Sequence, residues 1–530
     1  MADLHSAGHR RGVVCAPHFS AVEAGRAILA EGGNAIEAMV AMAASIAAVY
    51  PHMNHLGGDG FWLIRERSGR VRAVMAAGAA GRNARPELYR EHETVPPRGP
   101  LAALTVPGAV GGWSLALEVA KAAGGTLPLD VLLAPAIAHA RNGFAVSRSQ
   151  ARLTQDHLAE LAPVPGFSET FLTDGKPPAV GTTQKQEALA ATLAHLAHAG
   201  LDDFYRGDVG REIAADLERI GSPVTRQDLT RYRTTLAEPL RVDLPSGTVY
   251  NTDAPTQGVA SLMILALFDR CGVAEPEGFD HIHCLVEATK RALRMRDRVV
   301  TDPDYLAHPL ERCLEPRFIA GEAMKIDRRK AARWPLSSGA GDTIWMGAAD
   351  ATGLVVSYIQ SLYWEFGSGC VLPATGVLMQ NRGLSFSLKA GALNMLAPGR
   401  LPFHTLNPAL AILKDGRIMA YGAMGGDGQP QTQGAVFTRH VLFREPLAEA
   451  IDRPRWVLGR TWGAPRTALR LESRFDGNLI EALAVAGHDI EVLPEPYSDV
   501  MGHAGAVVLH KDGTCEGAHD PRADGGAAGV

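Results

Sequence analysis

The chain has almost no surplus charge of either sign. Over 530 residues, 52 lysines and arginines stand against 57 aspartates and glutamates, a formal net charge of -5. Such a balance gives no electrostatic case for binding nucleic acid or an anionic membrane. Aromatic residues are few, at 6%, which agrees with that. Cysteine is scarce as well: Cys15, Cys271, Cys284, Cys313, Cys370 and Cys515 are scattered with no Cys-x-x-Cys spacing. They read as reduced, mostly buried thiols, and neither a disulfide frame nor a zinc site is expected. The chain also lacks a Gly-x-Ser-x-Gly elbow, a His-Glu-x-x-His pair and a Walker lysine, which disfavours serine hydrolases, zinc hydrolases and phosphate-loop enzymes. No metal and no cofactor are expected. The opening Met-Ala-Asp-Leu-His-Ser-Ala-Gly-His-Arg-Arg has no apolar export segment, so the expected location is cytoplasmic.

Long apolar runs are equally rare. Residues 35–50 form the strongest one, but Glu37 near its start, Pro51 after it and a length below the roughly 18 to 20 residues a bilayer needs make it a buried core helix. Ser20-Ala-Val-Glu23 and Asn34-Ala-Ile-Glu37 read as capping boxes opening two successive helices. The first strand is expected at Val13. Gly57-Gly-Asp-Gly60 reads as a close backbone approach leading into a hairpin over residues 61–64 and 71–75. Residues 128–199 are mainly helical by apolar spacing, with further helices near 209–220 and 281–297. His281 and His283, two apart on a helix, point to different faces and do not suggest a shared ion. Strands are expected over 409–413 and 417–421, loops over 381–402, and a mobile tail over the last dozen residues.

The chemistry is expected at Gly341-Asp342-Thr343, where an alternating run, a turn at residues 350–353 and a second apolar run signal a β-hairpin. With Gly353 in the left-handed position of a three-residue loop, Asp350 faces Leu354 and Thr343 faces Ser361; a two-residue turn would bring Gln360 there instead. A threonine hydroxyl needs a base beside it to act as a nucleophile. A chain-terminal threonine carries its own, because an α-amine with a reference pKa of roughly 7.7 to 8.0 is partly unprotonated near neutrality. Thr343 is internal, so this chemistry requires scission at Asp342-Thr343. Ser337-Ser-Gly-Ala-Gly-Asp342 is a small-residue segment able to swing away once cut.

Several motifs in order carry a resemblance: Glu31-Gly-Gly-Asn34-Ala-Ile-Glu-Ala, Pro51-His-Met-Asn-His-Leu-Gly57-Gly-Asp-Gly60-Phe, Val106-Pro-Gly108-Ala-Val-Gly-Gly-Trp, Leu132-Leu-Ala-Pro-Ala-Ile137 through Gly143-Phe-Ala-Val, the Thr343 hairpin, Phe366-Gly-Ser-Gly369 and Gly425-Gly426. Together they resemble the gamma-glutamyltransferase family of self-processing N-terminal-nucleophile hydrolases over nearly the whole chain. The resemblance implies an α+β fold, a four-layer αββα sandwich of two stacked, mainly antiparallel sheets. It implies a large segment, 1–342, and a small one, 343–530, that stay associated in one domain after cleavage. It further implies Thr343 as nucleophile, the amides of Gly425 and Gly426 as oxyanion donors, and Ser361 as a second hydroxyl orienting the new amine.

The departures from the family pattern bear on the substrate. The arginine that holds a γ-glutamyl carboxylate should fall near residues 76–82, where small residues stand, with Arg82 the only cation in reach. The family's asparagine two residues past its second hydroxyl becomes Tyr363, its ammonium-binding acidic positions become Arg382 and Ser385, and its Ser-Ser pair becomes His404-Thr405. An arginine in place of an acid repels an α-ammonium and suits a carboxylate. With Tyr363-Trp-Glu-Phe-Gly-Ser-Gly and Gln380-Asn-Arg-Gly383, as well as Phe403-His-Thr-Leu-Asn-Pro408 and Arg455-Trp-Val-Leu-Gly-Arg460, the chain looks like the oxamate amidohydrolase branch of the family. Expected substrate contacts are Arg382, Tyr363, His404, Thr405 and Arg460, the substrate being a small anionic amide. Gamma-glutamyl hydrolase or transferase activity, cephalosporin-type acylase activity and an unprocessed binding protein on the same scaffold stand as alternatives. A homo-oligomer of the processed pair stays open.

Overall fold

In the computed structural model, which describes residues 3–334, 342–459 and 468–530, fourteen strands build two seven-stranded sheets. In chain order they are β1 (His5–His9), β2 (Gly12–Ala16), β3 (Asp59–Arg65), β4 (Val71–Ala76), β5 (Thr235–Ala237), β6 (Leu240–Leu244), β7 (Gly247–Asn251), β8 (Asp342–Asp350), β9 (Val355–Tyr363), β10 (Ala409–Leu413), β11 (Ile418–Ala423), β12 (Ala504–Leu509), β13 (Cys515–His519) and β14 (Gly526–Gly529). The first sheet runs β14-β2-β8-β9-β3-β4-β5 and the second β1-β13-β12-β11-β10-β7-β6, every pairing within them antiparallel. Each sheet draws strands from both sides of residue 342.

Strand periodicity sorts the core into layers, because successive side chains point to opposite faces. Val13, Cys15, Phe61, Leu63, Trp345, Ala349, Val355 and Ile359 from the first sheet meet Leu410, Ala420 and Val507 from the second. The alternate residues Val14, Trp62, Ile64, Met346 and Val356 pack on helices α1 (Phe19–Ala30), α2 (Ala35–Val49), α3 (Ala109–Ala122) and α4 (Leu129–Asn142). On the far side Ala409, Ala411, Met419 and Tyr421 pack on α5 (Gly258–Cys271), α6 (Phe279–Val299) and α7 (Gly428–Phe437). The order is helix, sheet, sheet, helix, the expected αββα sandwich. Trp345 lies between the sheets, where a Cβ at Gly422 or Gly505 would come within 2.2 or 2.5 Å of its ring. Glycine there lets so large a ring fit between the layers.

The helix starts follow capping chemistry. Asn34 and Glu37 form the expected capping box, and every residue of α2 is buried. Helix α1 begins earlier than the expected Ser20 box: His18 caps it by accepting from the Ser20 amide, while Glu23 turns to Arg26. No helix among the described residues is long and apolar enough to cross a membrane. All six cysteines are free and buried.

Two expectations fail at the chain ends. A strand, β1, precedes Val13 and pairs with β13. The final residues are no mobile tail: β14 pairs with β2, and Val530 donates to Gly12 O. Their small side chains are what the position demands, since a Cβ at Gly529 would meet the His9 ring at 2.1 Å.

Candidate active site

Parity puts the candidate nucleophile between the sheets. Trp345 and Ala349 of β8 face the second sheet, so Thr343, two residues before Trp345, faces it too, at the open end of the strand, and is 1% exposed. Gly353 at φ 99° and a 3.0 Å bond from Asp350 N–H to Leu354 O close a three-residue loop. Ala349 therefore faces Val355 and Ile344 faces Gln360. Continuing that register sets Thr343 opposite Ser361, as the bulged turn predicts. There the ladder slips by one residue, Asp342 pairing with Tyr363, and Ser361 Oγ accepts the Tyr363 amide at 2.7 Å.

Ser361 pairs in turn with Asp59 of β3. Directly opposed residues share a face, so Thr343, Ser361 and Asp59 form a row across three strands. The Gly57-Gly58 approach is as close as expected, since a Cβ at Gly58 would come within 2.3 Å of Ser361 O.

The second sheet closes over this row with the segment entering β10 and the loop leaving β11. Gln429 Nε2 lies 3.5 Å from Thr343 Oγ1, and its Oε1 accepts the Asn407 amide at 3.2 Å. Gly425 and Gly426 take φ of 110° and 47°, and neither N–H has an acceptor among the described residues. Gln257 Nε2 donates to Gly426 O and Thr405 O at 2.8 and 2.6 Å, tying loop to segment. Arg296 bonds Gln257 Oε1 and Asp427 Oδ1 in turn. Burial opposes the Arg296 charge, but Asp427 and Asp297 more than offset it and hold the guanidinium above its usual range. The loop is thus fixed with two amide donors to spare.

A second set of polar groups lies beside the row. Arg382, 1% exposed, stacks over the Tyr363 ring at 3.8 Å, and neither Nη1 nor Nη2 has a partner among the described residues. Burial lowers its guanidinium to about 10, with Tyr363 and Asp59 acting the other way. Asp59 Oδ1 accepts from the amides of Gly108 and Gly78 at 2.9 and 3.2 Å, but Oδ2 has no hydrogen-bond partner among the described residues. Burial raises this carboxyl to about 7, against the pull of Gln380, Arg382 and those amides. His404 Nε2 stands 3.6 Å from Asp59 Oδ2, too far for a hydrogen bond. Burial and then Arg382 push the ring well below its usual range, so it is neutral and the contact is no ion pair. Both His404 nitrogens and the Thr405 hydroxyl lack hydrogen-bond partners among the described residues as well. Buried polar groups are almost always satisfied within a protein, so this many orphans in one place mark a site for something polar.

The fold thus brings together Thr343, Ser361, Tyr363, Arg382, His404, Thr405, Gly425 and Gly426. Arg460 and residues 337–341 lie outside the described residues, and of Asp342 only the backbone is described. Arg82 does not join: its side chain is exposed and lies 4.0 Å from Asp228. His281 and His283 bond separately, to Thr438 and to His488. Sequence reasoning passed over Asp59, Gln380, Asn407 and Gln429. The first lay inside a motif read for its glycines, and Gln429 opens Gln429-Pro-Gln-Thr-Gln433, a helical run with every residue buried despite its polarity. A separate cavity of about 1030 Å³, lined by Arg148, Arg152, Trp364, Tyr497 and Asp524 among others, does not include the Thr343 row.

Comparison with known proteins is consistent with this geometry. The model of the gamma-glutamyltranspeptidase family matches residues 21–530. The chain is 51% identical to the oxamate amidohydrolase proenzyme of Klebsiella pneumoniae, over 99% of this chain and all of that one. It is 39% identical to the glutathione hydrolase-like YwrD proenzyme of Bacillus subtilis, over 98% of each. The cephalosporin acylase of Bacillus halodurans superposes with a TM-score of 0.90 at 29% identity, over 99% and 97% of the two chains.

Proposed function

The chain belongs to the gamma-glutamyltranspeptidase family and is an amidohydrolase of the N-terminal-nucleophile kind; from that premise we propose that Thr343 is its nucleophile and a small anionic amide such as oxamate its substrate. The observation that carries the substrate reading is the buried guanidinium of Arg382, whose two terminal nitrogens lack acceptors among the described residues. A planar fork of donors fits a carboxylate.

Scission at Asp342-Thr343 is the first step, leaving segments 1–342 and 343–530 folded together. Thr343 Oγ adds to the Asp342 carbonyl and the peptide nitrogen leaves as the free α-amine, its proton coming from Oγ; water then hydrolyses the resulting ester, releasing the Asp342 carboxylate and the Thr343 hydroxyl. In turnover that amine takes the Oγ proton as Oγ attacks the amide carbon. The amides of Gly425 and Gly426 receive the oxyanion. The carbon–nitrogen bond breaks and the amine's proton leaves with ammonia. Water, deprotonated by the same amine, then releases the acyl group, so oxamate and water give oxalate and ammonium. Arg382 holds the substrate carboxylate throughout, and Ser361 and Gln429 orient the attacking residue.

A γ-glutamyl compound is the second reading, and Asp59 is the observation in its favour. The expected inversion of charge by Arg382 is incomplete, because this carboxyl lies beside it and, when ionised, suits an ammonium group. Two measurements discriminate. Denaturing electrophoresis of the folded wild-type protein is expected to give two bands, with Thr343 at the start of the smaller, and Thr343→Ala to give one band and no activity. Intact, folded wild-type chain would leave an unprocessed binding protein as the better reading. Ammonia release from oxamate is expected to outpace chromophore release from a γ-glutamyl anilide; the reverse, by orders of magnitude, would favour the second reading.

A further inference from the structure

Asp59 is the one acidic group in the row that holds Thr343 and Ser361, and nothing in the reaction above uses it. Its side chain is anchored at one end only. Oδ1 takes the amides of Gly78 and Gly108, which fixes the carboxyl plane, while Oδ2 has no hydrogen-bond partner within 3.5 Å among the described residues. The Gln380 amide stands near enough only to lower the carboxyl in part. The guanidinium of Arg382 influences it but does not close on it: among the described residues the two form no ion pair within 4.0 Å, and the Arg382 nitrogens also lack partners. His404, on the remaining side, is neutral.

Charge counting then decides what the pair can accept. With Asp59 ionised, the site is a neutral couple, and a bound carboxylate leaves one uncompensated negative charge in a buried place. With Asp59 protonated, the bound carboxylate and Arg382 cancel, and the acid hydrogen points at an acceptor. Burial of an unpaired charge is strongly unfavourable, so the second state is the one an anion selects.

We propose that Asp59 is a substrate-contacting residue that binds as a carboxylic acid, donating its Oδ2 hydrogen to the substrate carboxylate that Arg382 also holds, so that the site takes up an anion and a proton together. The inference rests on the carboxylate reading of Arg382 given above. It makes Asp59 a determinant of specificity: in this state the residue cannot balance an α-ammonium group, so amino acid amides are excluded in favour of simple α-carboxylated amides. The carboxyl of Asp59, raised to about 7 by burial, is poised for such uptake. The groups facing it are Arg382 and Gln380 from residues 380–382, His404 from the segment before β10, and the phenols of Tyr358, Tyr205 and Tyr232. Burial holds all three phenols above their usual range, so they stay neutral across this interval. The Thr343 amine of the processed protein titrates nearby and is common to wild type and variant.

The test is calorimetric titration of processed protein with oxalate at pH 8 in buffers of different ionisation enthalpy, alongside the KM for oxamate from pH 6 to 9. Wild type is expected to take up close to one proton more per oxalate than Asp59→Asn, and its affinity to weaken about tenfold per pH unit above 7. Asp59→Asn, whose amide keeps a donor in place, is expected to lose the Asp59 share of that slope. Equal proton uptake and equal slopes in the two proteins would overturn the role of Asp59 while leaving oxamate turnover, and the proposed function, intact. Absence of oxalate binding together with absence of oxamate turnover would overturn both.

Discussion

Replacing Arg382 with alanine removes the only described cation whose donors converge on the site without partners, and its contact with the Thr343 hairpin is the stack on Tyr363 at the end of β9. Loss of one partner of a desolvated charge contact typically costs about 2 to 5 kcal/mol, so the expected result is a fall of about 30-fold or more in kcat/KM for oxamate with processing intact. An unchanged rate would remove Arg382 from the site. Asp59→Asn carries a stability prediction of opposite sign. A carboxyl raised to about 7 in the folded protein stays protonated where the unfolded chain has already ionised, so its contribution is full below the unfolded value and is lost as pH rises through 7. The penalty approaches about 4 kcal/mol above pH 7 by the difference from the reference value near 3.9. Asp59→Asn should therefore gain thermal stability over wild type at pH 8 and not at pH 4, as thermal melts at the two pH values would reveal. At this scale the sequence singled out Thr343, Ser361, Arg382 and His404 as candidates by type and motif. It missed Asp59, because an aspartate among glycines looks like a turn residue until β3 is known to lie beside β9.

At the level of elements, the hairpin carrying Thr343 is held at both ends. Asp350 in its turn accepts from the Thr352 amide through Oδ1 and from the Ala35 amide through Oδ2, so one side chain fixes the β-turn and the first turn of α2 together. Asp350→Ala should lower stability by about 1 to 2 kcal/mol, a loss of the size of a helix cap, and slow self-cleavage by loosening the register of β8. A lower melting temperature with normal processing kinetics would confine Asp350 to stability. The sequence narrowed the register to two alternatives, Ser361 or Gln360 opposite Thr343, and the three-residue loop closed by Gly353 and the bond between Asp350 and Leu354 decides for the first. The start of α1 was not. Ser20 and Glu23 fit a capping pattern, yet His18 two residues earlier competes for the same amide, and local spacing does not decide between them. The terminal strand β14 was missed for a related reason: a glycine and alanine run carries no periodic signal, and only contact with β2 and His9 makes it a strand.

For the whole molecule, the interleaving of strands has a direct consequence. Both sheets mix strands from before and after residue 342, and the inner layer joins Val13 and Phe61 to Trp345 and Val507. The two products of cleavage should therefore elute together on size exclusion under native conditions and separate only in denaturant, whereas separate elution would refute a shared core. Within the segment after residue 342, Arg455, Arg522, Asp520 and Glu472 form a buried network of their own, with Asp520 held below its usual carboxylate range: burial raises it, but Arg455 and Arg522 outweigh that. Such stability is present above the unfolded value of an aspartate and is lost only as pH falls through the depressed one. What the sequence determined by itself is local: apolar periodicity, caps and turn glycines fix which residues become helix or strand and which face each presents, because these depend on neighbours within a few positions. What only the tertiary structure decided is the company each residue keeps. Asp59, Arg382, His404 and Gln429 are up to 370 positions apart in the chain and meet only when two sheets stack, and the protonation state and unmet hydrogen bonds on which their proposed roles rest arise from burial, which no stretch of sequence possesses alone.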